Sequence, residues 1–469
     1  MYIQQIYTGC LSEAAYYIES EKEAAIIDPM RDTEEYLRLA NGRGAIVKYI
    51  FETHFHADFV SGHLDLSRST GAPVIYGPGA KTGFPVTEAQ DGQVFKIGKL
   101  TLQVLHTPGH TPESSCFLLK DEQGKDHAVF TGDTLFVGDV GRPDLAQKDS
   151  GLTTSDMAKT LYNSLQTKIL PLADDILVYP AHGIGSACGK QIGPEMFSTI
   201  GKEKKENYAL QSQNSDDFVR AVTEGLPAPP AYFFINAQIN KTGYMTLDEI
   251  LEHGTKPLSL PEFEECINNG ATIVDTRNAD LFVQGFIPES IFIGLEGRFA
   301  EWAGSLLSFD KNIVLIAEEG KEKEAAIRLA RVGFSKLQGF LEGGVDTWKK
   351  AGKPVDMVID VEADEVAMDL PFDPNMLVID VRKETEYADG HIKEAENIPL
   401  DTLTDPGNMA NINDGDNVYV HCGSGYRSLI AISLYKRQGI HNLRNIRGGW
   451  AAIKEVKEIP VERTAEALN

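Results

Sequence analysis

The sequence predicts a multidomain α/β chain: a sandwich of sheets flanked by helices, followed by two copies of a smaller α/β unit with a mostly parallel sheet. Three observations lead there. A chain of 469 residues exceeds what one hydrophobic core organises. Short apolar, β-branched runs in its first part break off into polar loops that carry His and Asp. Beyond them, a set of landmarks recurs in order about a hundred residues later.

In chain order, residues 24–28, 47–51, 100–105, 128–130 and 176–179 read as buried strands, and residues 33–39, 155–165 and 197–211 carry helical periodicity. The strands run into Thr53-His54-Phe55-His56-Ala57-Asp58-Phe59, Thr107-Pro108-Gly109-His110, Thr131-Gly132-Asp133 and Pro180-Ala181-His182-Gly183, so the polar residues sit on loops at strand ends, along one edge of the sandwich. Leu226-Pro227-Ala228-Pro229-Pro230 interrupts regular structure, and a first domain is expected over 1–245. In the repeat, Val274-Asp275-Thr276-Arg277 answers to Ile379-Asp380-Val381-Arg382, Gln284-Gly285-Phe286-Ile287 to Asp389-Gly390-His391-Ile392, the strand at 312–317 to that at 417–421, and Gly343-Gly344 to Gly448-Gly449. Helical segments at 323–332 and 428–438 alternate with the strands, and the two copies are expected over 246–355 and 356–469.

Composition bounds the function. Hydrophobic residues make up 42% of the chain, and no apolar run is long enough to span a bilayer. A formal net charge of −25 repels a phosphate backbone and argues against nucleic-acid or anionic-membrane partners. The first residues have neither a basic region nor an apolar core, so a cytoplasmic location is expected. Five scattered cysteines without a Cys-x-x-Cys pair suggest neither a disulfide framework nor a structural zinc site.

His54, His56, Asp58, His110, Asp133 and His182 form the candidate metal constellation. The series begins as a two-metal motif, but Phe59 has no donor where a further His would serve a second ion. The motifs Thr53-His54-Phe55-His56-Ala57-Asp58, Pro108-Gly109-His110-Thr111, Thr131-Gly132-Asp133 and Ala181-His182-Gly183 resemble the metallo-β-lactamase fold, an αββα sandwich, over essentially the whole first domain. Within that fold the choice lies between a dinuclear zinc thioester hydrolase of the glyoxalase II kind and a mononuclear iron persulfide dioxygenase. Similarity to the latter implies one Fe(II) per chain on His54, His110 and Asp133, two imidazoles and a carboxylate on one face of an octahedron. His56, Asp58 and His182 then orient ligands or hydrogen-bond bound water. The same resemblance implies that Arg142 binds the carboxylate of a low-molecular-weight thiol such as glutathione, with a structural arginine as the alternative. Cys188, in the Gly-rich loop after His182, either carries sulfane sulfur near the iron or is an inert buried thiol.

In the second copy, a strand runs into His421-Cys422-Gly423-Ser424-Gly425-Tyr426-Arg427-Ser428 and then a helical pattern. A cysteine so placed faces backbone N–H groups and the positive end of a helix dipole, and Gly423 and Gly425 let the loop curl its amides inward as an anion nest. Four residues separate Cys422 from Arg427, where cysteine-dependent phosphatases place five, a longer cradle that fits phosphate. With Asp380-Val381-Arg382 and Gly448-Gly449-Trp450, the copy is similar to a rhodanese sulfurtransferase domain. That resemblance implies Cys422 as nucleophile, Arg427 as the catalytic cation, and Gly423, Ser424, Gly425 and Tyr426 as the persulfide loop. The first copy sets Glu318 against Cys422, and a carboxylate cannot accept a sulfane sulfur, so that copy is expected to be silent. The whole chain resembles a persulfide dioxygenase–rhodanese fusion. Its implied partners are a small-molecule persulfide, O2 and sulfite or thiosulfate, and a homo-oligomer is the general expectation for a soluble enzyme.

Overall fold

The computed structural model describes residues 1–145, 151–409, 412–413 and 415–464. The chain forms two compact units, one of Met1–Glu249 with Leu329–Ser335, the other of Ile250–Arg328 with Lys336–Asn469.

The first unit packs two six-stranded sheets face to face. One holds, in spatial order, Tyr2–Thr8, Glu13–Ser20, Glu23–Ile27, Ile46–Phe51, Val74–Tyr76 and Thr87–Glu88. The other holds Ser198–Thr199, Leu177–Pro180, Asp126–Gly132, Ser115–Lys120, Leu100–His106 and Val94–Ile97. Period-two alternation assigns the faces: Tyr16 and Ile18 turn into the core between the sheets, where they meet Phe51, Leu102, Phe117 and Phe130, while Tyr17 joins Tyr36 and Leu66 of an outer helical layer. Burying each of those phenylalanines contributes about 1.5–3 kcal/mol. On the opposite outer face, Leu161 and Phe218 of helices Thr154–Ser164 and Ser215–Thr223 cover Leu118, Val129 and Val178. The result is the expected αββα sandwich.

The helical pattern at 197–211 resolves differently. Ser198–Thr199 pairs antiparallel with Leu177 and Val178, and the helix covers only Ile200–Glu206. Thr199 sets that boundary, since its hydroxyl accepts the Lys202 N–H as an N-cap.

In the second unit, one five-stranded sheet has the order Pro257–Leu258, Leu337–Leu341, Ile313–Ile316, Thr272–Asp275, Ile291–Phe292. Another repeats it with Ile359–Val361, Leu443–Ile446, Asn417–His421, Met376–Asp380 and Glu396–Asn397. All pairings within both are parallel. The repeated Asp-x-Arg has a shared cause. Arg277 and Arg382 each pair with the aspartate two residues back at 2.6 Å, and each donates to the carbonyl eight residues on, Gly285 or Gly390. Among the described residues, no helix is long and apolar enough to cross a membrane.

Candidate functional site

The loop after Ile46–Phe51 is held from its first residue. Thr53 donates its backbone N–H and its hydroxyl to the two carboxylate oxygens of Asp28, at 2.7 and 2.8 Å. Because that hydroxyl hydrogen is committed to Asp28, the Thr53 oxygen accepts from His54 Nδ1 at 2.9 Å, which leaves the His54 Nε2 lone pair free. His110 is set in the same tautomer, since its Nδ1 lies 2.9 Å from the Arg142 carbonyl, which can only accept. Gly141 permits that approach: a Cβ there would lie 2.0 Å from the Asp133 carbonyl oxygen and 2.9 Å from His110 Nδ1.

His54 Nε2 and His110 Nε2 then face Asp133 Oδ2 at 3.8 and 3.4 Å. All three atoms are buried and have no hydrogen-bond partner. Burial holds His54 and His110 below the usual histidine range, which favours neutral imidazoles. Three acceptor atoms converging without a hydrogen between them are costly in a dry interior, and they fit a cation.

The other Asp133 oxygen accepts from His182 Nδ1 at 2.7 Å, and His182 Nε2 donates to Asp58 at 2.8 Å. Burial lowers the affinity of His182 for a proton, but Asp133 and Asp58 outweigh it and raise its pKa well above the usual value. Burial likewise pushes the Asp133 carboxyl upward, yet the His182 imidazolium that donates to it holds it well below the usual carboxylate range. His56 turns elsewhere: its Nε2 lies 3.1 Å from Asp28 and 3.5 Å from Glu52, and its ring packs on Phe59 at 4.4 Å.

A second site lies in the second unit. Cys422 is buried between the strand Asn417–His421 and the helix Tyr426–Arg437, and its Sγ accepts the Gly425 N–H at 3.1 Å, with Ser428 Oγ at 3.7 Å. Gly449, at φ +54°, lets the next loop close over it; a Cβ would meet the Cys422 carbonyl oxygen at 2.3 Å. Gly423 is half-buried and Ser424 is exposed, so the loop opens to solvent on that side. Tyr426 reaches away and donates to the Gly294 carbonyl of the first copy at 2.7 Å. The Arg427 guanidinium pairs bidentately with Glu386, at 2.7 and 2.8 Å. In the first copy, Glu318 accepts the Asn278 N–H at 2.9 Å.

Residues 8–182 match the metallo-β-lactamase superfamily profile, and residues 259–351 and 363–456 each match a rhodanese-like domain. The hydroxyacylglutathione hydrolase GloC of Haemophilus influenzae is 30% identical over 42% of this chain and 91% of its own length. The human mitochondrial persulfide dioxygenase ETHE1 is 34% identical over 44% of this chain and 74% of its own. The chain belongs to the metallo-β-lactamase superfamily. A solved metallo-β-lactamase from Staphylococcus aureus aligns with 73% of the chain and 98% of its own at 32% identity, TM-score 0.64. Two rhodanese-like domains follow the metallo-β-lactamase domain in this chain.

Arg142 and Cys188, both singled out in the sequence, have defined surroundings in the structure. Arg142 is 2% exposed and its guanidinium is engaged internally: Nε and Nη2 donate to Asp144 at 2.7 and 2.8 Å, Nη1 to the Ala187 carbonyl at 3.0 Å and Nη2 also to the Pro227 carbonyl at 2.6 Å. It anchors loops, and its carbonyl orients His110. The second ion position is also richer than Phe59 implied, because Cys188 lies with Asp58 and His182, one potential ligand atom from each within 4.8 Å of the others. Burial raises the Cys188 thiol well above its usual range, with Asp58 and Asp133 adding to it.

Sequence reasoning missed Asn240. Its amide nitrogen donates to the His56 and Phe59 carbonyls at 2.8 and 2.7 Å, and its oxygen accepts the Ser61 N–H at 2.9 Å, fastening the ligand loop to helix Tyr232–Thr242. Two asparagines four residues apart, Asn236 and Asn240, on the buried face of one helix were the available signal. Asp28 and Glu386 were missed as well, and each acts on a site residue far away in the chain.

Proposed function

We propose that the metallo-β-lactamase domain is a mononuclear non-haem iron persulfide dioxygenase and that the second rhodanese-like domain passes sulfane sulfur through Cys422. The observation that carries this reading is the convergence of the lone pairs of His54 Nε2 and His110 Nε2 on Asp133 Oδ2, a two-histidine, one-carboxylate set, with Phe59 where a further imidazole would stand. Similarity to ETHE1 supports the same choice. Held by these three residues, ferrous iron would supply activation of O2 and an open position for a sulfur ligand. The overall reaction is R–S–SH + O2 + H2O → R–SH + sulfite + 2 H⁺. Thr53 and the Arg142 carbonyl keep both imidazoles in the ligating tautomer, and the His182 imidazolium holds Asp133 ionised and in place between pairings.

At the other site, a persulfide on Cys422 yields its outer sulfur to sulfite. The sulfite sulfur forms the new S–S bond, the Cys422 S–S bond breaks, and thiolate and thiosulfate leave with charge conserved. The Gly425 N–H and the helix N-terminus stabilise the departing Cys422 thiolate, and Arg427 faces the same loop as the cation for the anionic partner. Glu318 makes the first copy a non-transferring one.

A two-zinc thioester hydrolase is the second reading, favoured by the proximity of Asp58, His182 and Cys188 and by similarity to GloC. His110→Ala separates a working iron site from a spectator: iron content and persulfide-dependent O2 uptake should both be lost, and retention of both would remove the triad. Purified protein with two zinc ions per chain and thioesterase activity would favour the hydrolase.

A further inference from the structure

The two rhodanese-like copies differ in how the helix after the loop is buried. In the first copy, helix Glu322–Arg331 buries Ala325, Ala326, Leu329 and Ala330, the narrow stripe of a helix with one face on its own sheet. In the second, every residue of helix Tyr426–Arg437 from Ser428 to Tyr435 is buried. A helix covered all round needs a second neighbour. It packs on strands Asn417–His421 and Leu443–Ile446 of its own sheet, and also on Ile291–Phe292, the edge strand of the first copy's sheet. Side chains of the helix pair with that edge. The Phe292 N–H donates to Ser433 Oγ at 3.0 Å, and Ser433, 1% exposed, donates in turn to the Ile430 carbonyl at 2.6 Å. Two residues beyond Phe292, the Gly294 carbonyl accepts from the Tyr426 hydroxyl at 2.7 Å, and the Phe292 and Tyr426 rings meet edge to face at 6.0 Å.

We propose that the first copy positions the sulfur-transfer loop of the second, with Tyr426 and Ser433 as the positioning residues that its Phe292–Gly294 segment holds. The inference rests on the reading of Cys422 as the transferring cysteine, and it adds what the non-transferring copy does for that cysteine. Tyr426 directly follows Gly425, whose N–H donates to Cys422 Sγ at 3.1 Å. Gly425 stands at φ +108° and has no Cβ to fix its peptide, so the anchored ring that follows it keeps that N–H aimed. A departing Cys422 thiolate then meets a donor already in place. Both fastenings use backbone groups of the first copy and neither uses Glu318, so a copy without a nucleophile serves this role in full.

The test uses the full chain with Tyr426→Phe, which keeps the ring and removes one donor, and separately with Ser433→Ala. Thiosulfate formation from glutathione persulfide and sulfite is measured without O2, so that only the transfer site turns over. Tyr426→Phe should lower kcat and kcat/KM equally, about fivefold, with KM for sulfite unchanged, as when a contact acts only in the transition state. Amide exchange over residues 423–428 should quicken by a similar factor, while the strand Met376–Asp380 keeps its protection. Ser433→Ala should move both readouts the same way, about threefold. Wild-type kcat together with wild-type loop exchange in both variants overturns the proposal. Exchange that rises equally in Met376–Asp380 also overturns it, because the loss is then one of general stability. The two readings fail separately. If the wild type forms no thiosulfate, the transfer reading falls, and faster loop exchange confined to 423–428 in Tyr426→Phe still upholds the positioning. Thiosulfate formation and loop exchange that neither variant alters do the reverse.

Discussion

Replacing Asn240 by alanine tests how the ligand loop is held. The side chain is 1% exposed and makes three hydrogen bonds to the loop, to the His56 carbonyl, the Phe59 carbonyl and the Ser61 N–H. At a net value of about 1 kcal/mol each, with a further cost for backbone groups left dry and unpaired, the loss is about 3–4 kcal/mol. Because the chain has two compact units, a single unfolding free energy is not the quantity to read. Hydrogen exchange of the loop at residues 53–62 is. A loss of about 3 kcal/mol corresponds to opening more than a hundredfold more frequent, while the core strand Glu13–Ser20 keeps its protection. Iron affinity should fall about 10- to 100-fold, as when other groups that orient metal ligands are removed. Unchanged exchange at Ser61 together with unchanged iron affinity would refute the claim that this asparagine positions the metal loop.

Cys422→Ser should leave sulfite production intact and stop thiosulfate formation, read by separating the two anions chromatographically; an unchanged thiosulfate yield would contradict the division of labour. Glu386→Gln probes the carboxylate behind Arg427. Burial raises the Glu386 pKa, but the Arg427 pair outweighs it and the folded value is lowered. The pair is therefore fully present above the ordinary carboxylate range and is lost as pH falls through the lowered folded value. In wild type, sulfur transfer should fall off on the acid side below that range. In Glu386→Gln that acid limb should vanish, with KM for the anionic acceptor altered across the whole pH range. An identical acid limb in both proteins would show that Glu386 does not position Arg427.

Much of the fold was legible because the patterns are local. Apolar runs ending in Thr-His or Gly-Asp placed the ligands at strand ends, and the Asp-x-Arg and Gly-Gly landmarks marked the duplication, since the same hydrogen bonds recur in both copies. What escaped depends on long-range contacts. Asn240 meets Phe59 across 181 positions, and Glu386 meets Arg427 across 41. The partners of Arg142 are equally remote from the sequence pattern: only the fold shows that Asp144 and the carbonyls of Ala187 and Pro227 engage four of its five N–H donors. The stretch 197–211 misled because its helical periodicity continues past Thr199, the residue whose hydroxyl caps the helix and leaves Ser198 to pair with Val178.

The central claim is that one iron on His54, His110 and Asp133 oxidises a persulfide. Anaerobically purified, iron-reconstituted protein, assayed for metal content and for O2 consumption with glutathione persulfide, tests it most directly. The account predicts about one iron per chain and one O2 consumed for each sulfite formed, both abolished in His110→Ala. Two zinc ions per chain, thioester hydrolysis and no persulfide-dependent O2 uptake would contradict it.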